Sequence, residues 1–257
     1  MNIYVLLKKT LDSEEKIIIS DGKIEDDDVE YIINPYDEYA IEEAIKQRDL
    51  HGGEVTILTI GDEASEKQLR TALAMGADKA ILINTEEDLD EGDQYTTAKI
   101  LATYFMDKEI DLILAGNVAI DEASGQVGPR LATSLDIPYV TTIVGLEIEG
   151  TNVKIEKDVE GDIEIIESSL PILVTCQQGL NEPRYPSLPG IMKSRSKPLE
   201  EIEIDDLALD EEDVKAKTKT IDMFLQPEKS AGKMLEGEPK EQVKELVSLL
   251  KNKDKIL

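Results

Sequence analysis

The stretch "DLILAGNVAIDEASGQVGPRL" (residues 111–131) decides the fold. Its first six residues are apolar almost without a break, as expected of a strand covered on both faces. Gly116 closes that run. A loop of small and polar residues follows, with Ser124 and Gly125 near the start of a helix whose stripe is Val127, Leu131 and Leu135. Strand, loop and amphipathic helix in that order are one half of a parallel crossover unit.

The same unit recurs upstream. "NIYVLL", "EVTILTIG" and "KAILIN" are further buried strands. Between them, Tyr36, Ala40, Ile41, Ala44 and Ile45 follow helical spacing, and Leu69, Ala72 and Leu73 share a face that Gly76 caps. Ala98, Leu101, Ala102 and Phe105 form the inner face of another helix, and "YVTTIV" supplies a fifth strand. The pattern predicts an α/β fold built on a doubly wound parallel sheet. Asp21-Gly22 in "KIIISDGKIE" has hairpin turn chemistry, and from Val144 apolar and charged residues alternate with turns at Gly150 and Gly161. The latter predicts antiparallel strands extending the sheet. From Lys197 the chain turns acidic and lacks an evident core face until a closing helix striped by Val243, Leu246, Val247 and Leu250. Such a segment is either disordered or laid along a partner, and the closing amphipathic helix favours the partner. The expected division is a domain over 1–195, with an exposed loop at 180–192, and a C-terminal arm over 196–257.

The chain has 257 residues, with 56 Asp and Glu against 28 Lys and Arg, for a net charge of −28. Neither a phosphate backbone nor an anionic membrane attracts such a surface, so nucleic acid and membrane are not expected partners. The single cysteine, Cys176, ends the apolar run "PILVTC" and reads as a buried, inert thiol. The single histidine, His51, reads as a surface turn residue. One of each excludes Cys/His metal centres and His-based triads. The opening "MNIYVLLKK" is too short for a span and lacks a signal-peptide layout, which predicts a cytoplasmic protein.

In an open doubly wound sheet, ligands bind beyond the carboxyl ends of the strands. The loops there are "LLKK", "NPYDEYA", "TIGDEAS" and "AGNVAIDEASGQVGPR". Free amides at a helix start hold a phosphate without lysines, and small residues permit its close approach. No Walker loop or dinucleotide fingerprint occurs. Spacing alone leaves two readings open: a nucleotide site, or Gly116, Gly125 and Gly128 serving only turns and packing. Asp121 is equally open between helix cap and ligand contact. A different problem is posed by "LNEPRYPSLPGIM" (180–192), where Pro183, Pro186 and Pro189 predict a stiff non-helical loop that presents Leu188.

These segments together resemble the beta subunit of electron-transfer flavoproteins along nearly the whole chain. "NPYDEYAIEEA", "LRTALAMGADKAI", "AGNVAID" with "QVGP", and "KIEKDVEGDIEIIESSLPILVT" follow the family's order, with Asp162 where a second glycine is usual. "LNEPRYPSLPGIMKSRSKP" and "SAGKMLEGEPKEQVKELVSLL" resemble its diagnostic loop and its tail. The resemblance implies an adenine-nucleotide-hydrolase-like sheet with an antiparallel extension. It also implies a heterodimer with an alpha subunit, embraced by the arm, and electron transfer between a flavoprotein dehydrogenase, such as an acyl-CoA dehydrogenase, and an acceptor. FAD is expected at the alpha subunit, with no catalytic acid, base or nucleophile on this chain. Nucleotide contacts carry over to Leu6, Asn34, Pro35, Tyr36, Asp37 and Ile60. Further contacts are implied at Gly116, Asn117, Val118, Ala119, Ile120, Asp121, Glu122, Ala123, Ser124, Gly125, Gln126 and Val127. Arg184, Tyr185 and Leu188 carry over as partner recognition. The nucleotide is AMP in simple carriers and a second FAD in electron-bifurcating members. "QVGPR" resembles the latter, although Glu122, Ala123 and Ser124 replace the usual Gly-Asp-Thr after the aspartate. FAD is the expectation and AMP the alternative. A stand-alone ATP-binding module of the universal-stress type is the rival from another class; it needs neither the proline loop nor the arm.

Overall fold

The computed structural model describes residues 1–20, 22–25, 29–85, 92–226, 232–252 and 256. The chain opens on β1 (Asn2–Leu6) and makes a small excursion in which β2 (Lys9–Leu11) pairs with β5 (Tyr31–Ile33). Within it, β3 (Ile19–Ser20) pairs with β4 (Lys23–Ile24), the hairpin expected there, though Asp21 lies outside the described residues. There follow α1 (Pro35–His51), β6 (Glu54–Gly61), α2 (Glu66–Met75), β7 (Lys79–Asn84), α3 (Gln94–Phe105), β8 (Leu112–Gly116) and α4 (Val127–Ser134). Three antiparallel strands come next, β9 (Tyr139–Glu149), β10 (Asn152–Val159) and β11 (Asp162–Ser169). The chain then runs through β12 (Ile172–Cys176), α5 (Leu188–Ser194), β13 (Leu199–Glu203), α6 (Glu211–Val214) and α7 (Pro239–Asn252).

Among the described residues, nine strands form one sheet in the order β11-β10-β9-β12-β8-β1-β6-β7-β13. From β1 the chain steps outward to β6 and β7, then returns to lay β8 on the other side of β1. That reversal opens a crevice at the carboxyl ends of β1 and β8. Alternation along each strand feeds two cores: Ile3 and Val5 pack under α1 and α2, while Tyr4 and Leu6 face α3 and α4. Each fully buried Ile or Leu contributes on the order of 1.5–3 kcal/mol. Of the expected stripes, Ala40, Ile41, Ala44, Ile45; Leu69, Ala72, Leu73; Ala98, Leu101, Ala102, Phe105; and Leu131 are buried, whereas Tyr36, Val127 and Leu135 are only partly so. So is Cys176, whose thiol burial pushes up, with Glu43 and Asp37 adding to the shift. His51 is exposed at the end of α1.

Two stretches differ from their sequence reading. The segment after Lys197 does contribute to the core: β13 pairs in parallel with β7 through Leu199↔Ala80 and Ile202↔Ile83. Ile204 and Val214 then tuck beneath α3. Leu199 and Ile202, three apart and so on opposite faces of the strand, each pack against one of the two cores, while Glu200, Glu201 and Glu203 keep the edge charged. The proline loop is likewise not wholly irregular. Ser187 caps α5 by accepting the Gly190 N–H at 3.1 Å, and Pro189 occupies the first helical turn, where a missing N–H costs nothing. Leu188 is therefore the first residue of a short helix. No helix among the described residues is long and apolar enough to cross a membrane.

Candidate functional site

A cleft of about 310 Å³ lies at the reversal point, lined by the ends of β1 and β8, the start of α1 and the loop leading to α4. Its apolar side comes from Leu6, Leu7, Leu58, Ile60, Leu101 and Val127. At its buried end stand Asn34, the residue just before α1, and Asp37, from its first turn.

Asp37 accepts three N–H donors from three separate elements: Lys8 N at 2.7 Å, Gly116 N at 2.9 Å and Asn34 Nδ2 at 3.0 Å. Burial pushes its carboxyl up to about 7, against the pull of those donors. Asn34 clasps the loop, donating from Nδ2 to Val118 O at 2.9 Å and accepting the Ile120 N–H at 3.2 Å. Gly116 is dictated by this crowding. A Cβ there would fall onto the Asp37 carboxylate and within 2.7 Å of Tyr36 Cβ.

The loop is fastened again further out. Lys8 Nζ pairs with Asp121 at 2.9 Å, and Gln94 Nε2 donates to Glu122 at 3.0 Å. Ala123 (φ 51°) and Gly125 (φ 59°) both adopt left-handed backbone, curling the chain into α4. Among the described residues, the N–H groups of Ser124, Gly125, Gln126, Val127 and Gly128 have no protein acceptor. All five residues line the cleft. Clustered free amides at a helix start form an anion site, while the apolar side suits a flat ring. Lys8 is the cationic side chain on the lining, and it is already paired. An anion here would be held by backbone dipoles.

Of the residues expected to bind nucleotide, Leu6, Asn34, Asp37, Ile60, Gly116, Asn117, Val118, Ala119, Glu122, Ser124, Gly125, Gln126 and Val127 line the cleft. Pro35, Tyr36, Ile120, Asp121 and Ala123 do not. Asp121 caps no helix either, since α4 starts at Val127; its carboxylate takes Lys8 and the Glu122 N–H. The sequence reading missed Lys8, although it stands just past a strand end, and it missed Gly92, Asp93, Gln94 and Thr97. Asp93 is a helix cap that a capping argument could have found. It accepts the Tyr95 and Thr96 N–H groups, each at 3.0 Å, and its other oxygen takes the Lys217 and Thr218 N–H groups at 2.8 Å. Burial pulls this carboxyl up, but donors from Thr96, Thr218 and Lys217 outweigh it and hold it far below the usual range. The cleft rim thus grips the root of the C-terminal segment.

Away from the cleft, Tyr185 and Leu188 are 93% and 80% exposed, beside an open trough between α2 and α5. Arg184, expected alongside them, instead spends its guanidinium on Glu42 of α1.

A family model described as the electron transfer flavoprotein domain matches residues 21–207. The chain is 64% identical over 257 residues to the electron transfer flavoprotein subunit beta of Bacillus subtilis, covering 100% of both. It is 39% identical over 266 residues to the protein of the same name from Thermoanaerobacterium thermosaccharolyticum, covering 98% of this chain and 99% of that one. To the acryloyl-CoA reductase electron transfer subunit gamma of Anaerotignum propionicum it is 37% identical over 265 residues, with the same two coverages.

Proposed function

The chain belongs to the electron transfer flavoprotein family, on the side of its beta subunits, and from that premise we propose that it pairs with an alpha subunit to carry electrons between a flavoprotein dehydrogenase and an acceptor. The observation that carries the reading is the cleft, with five unpaired amides at one side and an apolar wall at the other. Phosphate on the amides of 124–128 and an adenine ring against Leu6, Ile60, Leu101 and Val127 fit that division of chemistry. Small-molecule sites range over roughly 300–1,000 Å³, and a cleft of about 310 Å³ has room for a single nucleotide such as AMP. The FAD reading is supported by the resemblance of "QVGPR" (126–130) and of the closing "EGEPKEQVKELVSLL" (236–250) to bifurcating members.

A flavin shared with the alpha subunit supplies the electron chemistry. What this chain's residues do is hold and dock. Asp37 and Asn34 fix the cleft loop, and Leu188 with Tyr185 offers the dehydrogenase a short apolar anchor. The segment beyond Thr218 is the arm that lies on the alpha subunit. In support, Val243, Leu246 and Val247 leave the stripe of α7 uncovered, and no described residue of that helix is buried. One relative is named for acryloyl-CoA reductase, whose chemistry run in reverse is that of an acyl-CoA dehydrogenase, so such a dehydrogenase is the electron source to try. Co-produced with its alpha subunit and mixed with such a dehydrogenase and its acyl-CoA, the complex should show its flavin absorbance bleach. No complex, or bleaching equally fast with this chain left out, overturns the proposal.

A further inference from the structure

We infer that Glu42 is a positioning residue for docking: it clamps Arg184, and with it the approach to the helix that presents Leu188, onto α1. The inference rests on the reading of Leu188 as the docking side chain. One carboxylate takes three N–H groups of a single residue. Arg184 Nε reaches Glu42 Oε2 at 2.7 Å, a terminal guanidinium nitrogen reaches Oε1 at 2.8 Å, and the Arg184 backbone N–H reaches Oε2 at 3.2 Å. This two-pronged geometry fixes direction as well as distance. Three residues earlier, Asn181 Nδ2 donates to Tyr39 O at 3.0 Å and to Glu43 at 3.3 Å, so the incoming loop meets α1 on successive positions of one face.

The far end of α5 is held just as firmly, on α2. Gly190 lies so close to Ala74 O that a Cβ would strike it. Arg70 donates to Ser194 O at 2.9 Å and to Lys197 O at 3.0 Å, while Lys197 Nζ reaches Leu73 O at 2.9 Å and Ala77 O at 2.6 Å. Leu188 thus stands between two fastenings. Residues 182–187 have no regular secondary structure to locate it from the upstream side. Pro183, Pro186 and Pro189 limit the loop's freedom without choosing its place; the Glu42 clamp chooses it. A guanidinium already spent on Glu42 acts on a partner through the loop it holds.

The test compares steady-state electron transfer from an acyl-CoA dehydrogenase to heterodimers carrying Glu42→Gln, Glu42→Arg, the exchange Glu42→Arg with Arg184→Glu, or Leu188→Ala. Glu42→Gln should raise KM for the dehydrogenase about fivefold, the cost of one well-made ion pair, with kcat and flavin content unchanged. The exchange should bring KM back to within about twofold of the parent. A merely structural ion pair would lower Tm and leave KM alone. If Leu188→Ala raises KM while Glu42→Gln does not, the clamp is wrong and docking by Leu188 stands. If neither raises KM, the docking reading itself falls. An exchange variant no better than Glu42→Arg alone also counts against the clamp.

Discussion

Asp37 is a carboxylate that three segments share, and its neighbours leave it little freedom. Replacing it with alanine would strand the Lys8 and Gly116 N–H groups, each about 1–3 kcal/mol to leave unpaired in a buried place. Its titration gives a sharper test. An unfolded aspartate titrates near 4, whereas burial pushes the folded carboxyl up to about 7. The folded state therefore binds the proton more tightly. That contribution to stability is fully present below about pH 4 and is lost as pH rises through 7, at no more than about 1.4 kcal/mol per unit. Asp37→Asn cannot titrate, and its amide turns a donor toward the Lys8 N–H. The variant should melt lower than the parent at every pH, with the gap narrowing from pH 4 to pH 7. A gap constant across that range would show that Asp37 does not titrate there.

Among the elements, α3 joins the cleft to the C-terminal segment. Asp93 caps the helix with one oxygen and holds Lys217 and Thr218 with the other, while Thr96 Oγ1 reaches Val214 O at 2.7 Å. Losing the cap alone costs about 1 kcal/mol. In Asp93→Ala, limited proteolysis should cut near Lys215–Lys219 faster than in the parent, with β13 still protected; equal cutting rates would mean that the arm root does not depend on Asp93. The elements were unevenly legible in the sequence. "DLILAG" and "KAILIN" announce parallel strands because both of their faces are apolar. β13 was hidden because this edge strand offers only one apolar residue to each face, Leu199 and Ile202, among glutamates. α5 was hidden because three prolines read as loop, although Ser187 followed two residues later by Pro189 is also a helix start. In the cleft, Gly116 and the loop to Val127 stood out by their residue types. The bracing role of Asn34 and Asp37 did not, since it depends on Val118 and Gly116, 84 and 79 positions away.

Across the whole molecule, acidic charge is unevenly spread along the chain. The chain carries −28, yet residues 183–199 contain no Asp or Glu. Within that stretch Lys193 and Arg195 form no ion pair among the described residues, and they sit close in sequence to Leu188 and Met192, which are 80% and 77% exposed. On an acidic body, a cationic and apolar stretch offers a partner both electrostatic attraction and an apolar anchor. The cleft lies elsewhere, at the carboxyl ends of β1 and β8, and α1 reaches both places: its start, with Asn34 just before it, supplies Asp37, and its middle supplies Glu42. On the proposed function, docking and nucleotide binding are built on one helix, with the nucleotide as the claim on which the account chiefly depends. It is tested by purifying the heterodimer, denaturing it, and measuring the nucleotides released by chromatography. The account predicts one AMP and one FAD per heterodimer; two FAD without AMP, or FAD alone with the cleft contributing nothing, would contradict it.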